Sequence, residues 1–223
     1  MPAVFVHGNP EAAAIWELLV PLLNRTDIIL LSPPGFGAPT PEGWAGTRVD
    51  YVNWLVSELE TIGEPVDLVG HDWGGGHVAG VALTRPDLLR SWSVDLAGVF
   101  HPDYVWHDMA QAWQTQNVGE EVVAAMIGAP LADRTAQYAE LGMPQNIAAK
   151  VAAAGNAEMG RCILALYRDA AQPVMRELGN DLSVMRERPG LVIIAELDTY
   201  VGTAAMARDS AARAGAKVSY LTG

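Results

Sequence analysis

The run Leu68-Val69-Gly70-His71-Asp72-Trp73-Gly74-Gly75-Gly76 sets one carboxylate between an apolar stretch and a glycine cluster. Pro65 to Val69 reads as a strand, and the glycines open a helical pattern, so Asp72 falls at the apex of a sharp turn. Glycines there let the backbone pass close while one side chain stands above the sheet. A carboxylate so presented attacks carbon and leaves an ester, which suits displacement of a halide or opening of an epoxide. A plainer role also fits these residues: an Asp ahead of glycines is a common helix N-cap.

Such a turn needs a sheet beneath it. Apolar runs at 3–6, 27–31, 66–69 and 91–96 read as strands. Helical patterns at 11–23, 48–62 and 75–84 lie between them. Continuous apolar strands alternating with helices predict a parallel, doubly wound sheet covered on both faces. From Gly98 to Arg188 the strands stop, and helical segments rich in Ala, Met, Gln and Glu take over. A strand at 191–195, a helix at 202–214 and a last strand at 217–221 follow. The expected organisation is therefore a core of residues 1–97 and 189–223 with a helical cap at 98–188. A chain that stops just after a strand leaves part of one sheet face without a covering helix.

Composition narrows the partners. The chain has 223 residues, half of them hydrophobic, and a formal charge of −12. Length and apolar content fit a substantial globular core. The acidic balance argues against a nucleic-acid surface, which needs clustered Lys and Arg. No run approaches the roughly 18–20 apolar residues that span a bilayer, and the N-terminus lacks the basic start of a signal peptide. One cysteine, Cys162, excludes an internal disulfide and fits a reducing cytoplasm. It reads as a buried helix residue. The histidines form no helical pair with a third ligand, and no Lys-Ser or Lys-Thr follows the turn glycines, so neither a metal nor a phosphate cofactor is expected. A small apolar organic molecule is the expected partner.

Three segments fall at the carboxyl ends of strands, where open α/β sheets bind ligands: His7-Gly8-Asn9-Pro10, Asp72-Trp73 and Glu196-Leu197-Asp198. Together with Ser32-Pro33-Pro34-Gly35-Phe36-Gly37 and Gly70-His71-Asp72-Trp73-Gly74-Gly75, they make the chain resemble the α/β-hydrolase superfamily. More narrowly it resembles the Asp-nucleophile branch, which holds haloalkane dehalogenases and epoxide hydrolases. The resemblance implies an α/β-hydrolase fold with an inserted cap, and Asp72 as the nucleophile. It implies that Asn9 and Trp73 aim N–H donors at a leaving halide and offer backbone N–H groups to the oxyanion of ester hydrolysis. The plain alternatives are a turn at Asn9 and simple packing by Trp73. Asp198 resembles the acid that orients a catalytic histidine, with Glu196 and Asp95 as rivals. Tyr167 resembles the cap acid of an epoxide hydrolase, with Tyr104 and Tyr138 as second donors. Trp106 and Trp113, at helical spacing, are substrate lining or core. Trp73, where a fluoroacetate dehalogenase would carry Arg, counts against that activity.

One member of the implied set is missing. The family's histidine lies in a Gly-His motif past the final strand, and this chain stops at Thr222-Gly223. His7, His71, His77, His101 and His107 all lie earlier. The sequence therefore predicts a truncated hydrolase that forms the ester but stalls before hydrolysis. Three functions stay open: a haloalkane dehalogenase, an epoxide hydrolase, and a non-catalytic binder of a small ligand in the cap pocket.

Overall fold

In the computed structural model, which describes residues 1–222, six parallel strands form one sheet in the order β2-β1-β3-β4-β5-β6. The strands are β1 (Ala3–Val6), β2 (Ile28–Leu31), β3 (Val66–Gly70), β4 (Leu89–Val94), β5 (Gly190–Ala195) and β6 (Lys217–Leu221). The strand order reverses between β1 and β3, which makes their shared carboxyl end the switch point of the sheet. Register does the positioning. Val6 pairs with Gly70, and Gly70 pairs with Val94, so the residues after β1, β3 and β4 emerge level with one another.

Helices α1 (Arg48–Ile62) and α2 (Trp73–Thr84) pack on each other beside the sheet. Thr47 starts α1 with a capping box, its hydroxyl accepting from the Asp50 N–H while the Asp50 carboxylate accepts from the Thr47 N–H. Tyr51, Leu55 and Leu59 of α1 bury against Val4, Val6, Val66 and Leu68 in the main core. The opposite pleat of β1 places Ala3 and Phe5 in a smaller cluster with Trp16. Between β4 and β5 run six helices: α3 (Asp108–Gln114), α4 (Val118–Gly128), α5 (Leu131–Glu140), α6 (Gln145–Ala154), α7 (Ala157–Asp169) and α8 (Val174–Gly179). Helix α9 (Ala204–Ala214) joins β5 to β6. All five residues of β6 are exposed.

The expected helix at 11–23 does not form. Two short 3₁₀ turns, Ala13–Trp16 and Val20–Leu22, stand in its place. Pro21 has no N–H to continue a helical ladder, and of the apolar stripe Leu18 and Leu22 are 52% and 81% exposed. Trp106 corrects a second expectation, because it precedes α3 and does not share that helix with Trp113. Cys162 is buried on α7 as expected. Among the described residues no helix is long and apolar enough to cross a membrane.

Candidate active site

Asp72 sits between β3 and α2 with φ of 49°, a left-handed conformation that side chains other than glycine rarely adopt. The surrounding glycines make the turn possible. A methyl on Gly74 would lie 2.1 Å from the Val6 carbonyl oxygen, and one on Gly70 would lie 2.4 Å from the Gly75 nitrogen. The Asp72 carboxylate does not cap α2. Its Oδ1 instead accepts from the Asn9 backbone N–H at 2.9 Å, across the switch point. Gly8 allows this approach, since a Cβ there would fall 2.2 Å from that same oxygen.

Burial raises the Asp72 carboxyl to about 7, and the nearby Glu11 charge adds to the rise. The His71 charge and hydrogen bonds from the Asn9 and Trp73 backbones act the other way. The carboxylate is therefore poorly solvated, and two backbone donors aim at it. Desolvation of this kind leaves an anion short of water and apt to attack carbon.

Asn9 and Trp73 flank Asp72. Asn9 is buried, and both polar atoms of its side-chain amide lack a hydrogen-bond partner among the described residues. A buried amide without partners is costly unless a ligand completes it. Trp73 is buried and stacks on Trp106 at 5.9 Å, while Tyr167 of α7 meets it edge-on at 5.5 Å. Burial, then the Asp72 charge, pushes the Tyr167 phenol well above its ordinary range, against a hydrogen bond with Trp73. Tyr167 thus keeps its proton, with its ring against Trp73, the residue after Asp72. Tyr104 is raised by burial and then by the charges of both Asp72 and Asp198, and its hydroxyl donates to the Tyr200 carbonyl at 2.7 Å. Tyr138 is committed elsewhere, donating to the Pro10 carbonyl at 2.7 Å.

Asp198 follows β5, and its Oδ1 accepts from the Tyr200 N–H at 2.7 Å. It lines a cleft of about 510 Å³ with Tyr104, Asp95, Glu196 and Met206. Asp72 is not in that lining. Glu196 is exposed. Asp95 is already engaged: Oδ1 accepts from the Asp72 N–H at 3.0 Å, and Oδ2 meets His71 Nδ1 at 2.5 Å. Of the three acids, Asp198 has its second oxygen and Glu196 both of its oxygens without a hydrogen bond among the described residues, and both residues line the cleft.

The histidines divide by environment. His7 is fully buried and meets the Gly8 carbonyl, and His77 stacks on Tyr51. His101 lies near Asp103 and Asp209. His107 accepts from the Ala110 N–H at 3.2 Å and lies within reach of the Asp198 charge. Sequence reasoning missed Glu11 and His71 as partners. Glu11 was absorbed into an expected helix, and nothing in a single sequence ties positions 11, 71 and 95 together.

The model of the alpha/beta hydrolase family matches residues 3–222. A (E)-2-((N-methylformamido)methylene)succinate hydrolase of Acinetobacter baylyi is 33% identical over 101 residues, 44% of this chain and 38% of that protein. A haloalkane dehalogenase of Bradyrhizobium diazoefficiens is 33% identical over 89 residues, 39% of this chain and 29% of that protein. The matched segments thus span well under half the length of these curated relatives, whose names carry different hydrolase activities. A solved haloalkane dehalogenase from Bradyrhizobium elkanii superposes with a TM-score of 0.74 at 22% identity, covering 99% of this chain and 81% of that one. That likeness concerns the fold. With the family's pattern matched almost from end to end over a parallel sheet and a tight turn bearing Asp72, this chain belongs to the α/β-hydrolase family.

Proposed function

We propose that this hydrolase uses Asp72 to form an alkyl-enzyme ester, with a haloalkane as the substrate class. The observation that carries the reading is the pair Asp72–Asn9: a carboxylate on a left-handed turn, and beside it a buried amide with neither polar atom paired. Asp72 attacks the carbon that bears the halogen, the carbon–halogen bond breaks, and the halide departs with the electron pair. The Asn9 amide and the Trp73 indole stabilise that growing charge. The helical insertion acts as the cap: its Trp106, Trp113 and Tyr167 pack with Trp73, next in sequence to Asp72, in one buried apolar cluster, and a small apolar substrate is the class we assign. Cleaving the ester needs a base to take a proton from water. His107 is the histidine that Asp198 reaches, but its Nδ1 is spent on the start of α3. We therefore assign the alkylation step to these residues and expect the ester to accumulate. A reducing cytoplasm is the compartment we assign, on the single cysteine.

A second reading has one specific support. Tyr167 keeps its proton and packs edge-on against Trp73, the residue after Asp72, and on this reading it protonates the oxygen of an opening epoxide. Rapid-quench measurement of halide release from 1-bromobutane, against loss of 1,2-epoxybutane, separates the two. The haloalkane reading expects one halide per chain and a roughly 100-fold loss in Asn9→Ala. Epoxide opening that survives Asn9→Ala but fails in Tyr167→Phe would replace it with the second reading. No reaction with either compound would leave a binding protein.

A further inference from the structure

The geometry points to a role for His71, whose ring is held between two carboxylates. Nδ1 meets Asp95 Oδ2 at 2.5 Å, and Nε2 meets Glu11 Oε1 at 3.3 Å. A neutral imidazole has one proton and would turn a lone pair toward one of these carboxylates. Two acceptor-only partners are satisfied together only by an imidazolium. Each carboxylate uses its other oxygen on the nucleophile's frame. Asp95 Oδ1 accepts from the Asp72 N–H at 3.0 Å, and Glu11 Oε2 accepts from the Gly8 N–H at 3.2 Å. The chain of contacts therefore runs from Gly8 through Glu11, His71 and Asp95 to Asp72. It fastens the loop that carries Asn9 to the turn that carries the carboxylate.

We propose that His71 is a positioning residue, locking the Asn9 loop to the Asp72 turn and lending positive charge to the nucleophile. This rests on the reading of Asp72 as the nucleophile. The groups around the ring are Glu11 from the loop after β1, Asp95 from the end of β4, Asp72 from its own turn, and His7 from the end of β1. The Trp16 ring stands edge-on at 6.3 Å. The two carboxylates raise His71 well above its ordinary value, against the cost of burial. His71 in turn lowers Asp72, which burial and Glu11 hold up near 7. Removing the imidazolium leaves the Glu11 and Asp95 carboxylates near Asp72 without a positive charge between them.

The test reads alkylation by 1-bromobutane from pH 5 to 9 in the wild type, His71→Gln and His71→Lys, each first checked for folding by circular dichroism. His71→Gln is expected to move the acid limb upward by about one pH unit, slowing the reaction about tenfold near pH 6 and much less at pH 9. His71→Lys, which returns a positive charge, is expected to move the limb back toward the wild type. Slowing by one constant factor at every pH, with the limb unmoved, overturns the electrostatic role. Nitrogen-15 spectra of the wild type give a readout free of activity: both His71 ring nitrogens should carry protons at pH 8, and a neutral ring there overturns the clamp. A wild type that takes no alkyl group at Asp72 overturns the nucleophile reading instead, and the spectra then decide on the clamp alone.

Discussion

At the scale of single residues, the site depends on how far a carboxylate tolerates burial. Asp72 is held near 7, whereas in an unfolded chain it returns to the ordinary 3.8 of an aspartate. The folded state therefore binds its proton more tightly, and stability falls as the pH rises from about 4 through 7. Asp72→Asn should unfold at higher denaturant than the wild type at pH 8, by about 2–4 kcal/mol, with no difference near pH 3. The same variant should lose alkylation at every pH. Alkylation by the wild type should itself rise with pH through a limb near 7, in parallel with ionisation of Asp72. Asp72, Asn9 and Trp73 were legible in the sequence because glycines and an apolar strand bracket them. The Glu11–His71–Asp95 contact was not, since three distant positions meet only through strand register.

At the scale of elements, the strand-turn-helix unit works because backbone atoms approach where no side chain fits. Gly8→Ala would place a methyl 2.2 Å from Asp72 Oδ1, so the carboxylate must leave the Asn9 N–H. We expect adduct formation, followed by mass spectrometry, to fall at least about 100-fold with little change in melting temperature. Gly74→Ala differs, because its methyl would meet the backbone of Val6 and His7, including the carbonyl oxygen of Val6 at 2.1 Å, and backbone cannot swing aside as a side chain can. That variant should lose about 3 kcal/mol or more in urea unfolding. Helix α1 was readable to the residue, because a capping box opens it and Gly63, in a left-handed conformation, ends it. The segment at 11–23 was not. Its apolar spacing mimics a helix, but Pro21 and the exposure of Leu18 and Leu22 show that it buries no continuous stripe.

At the scale of the whole molecule, the helical insertion is tied into the core at several points. The Arg48 N–H and side chain both reach Asp169, and Thr40 donates to Glu158. Arg161 donates to the Trp44 carbonyl, and Tyr138 to that of Pro10. Trp73 and Trp106 share one hydrophobic cluster with Met159, Ile163 and Leu166 of α7. We therefore expect core and insertion to unfold in a single transition, with tryptophan fluorescence and far-ultraviolet circular dichroism coincident. Asp169→Ala should lower stability by about 1–2 kcal/mol without splitting that transition. The alternation of strands and helices made the sheet legible, and the loss of strands after Gly98 made the insertion legible. The packing of the insertion onto the core was not, because which aromatic meets which follows from tertiary contact rather than from local period.

The nucleophile itself is tested most directly by weighing the chain after exposure to 1-bromobutane and mapping the modified peptide. The account predicts one butyl group per chain, carried on Asp72 and absent from Asp72→Asn. An unmodified chain, or a butyl group on any other residue, would contradict it.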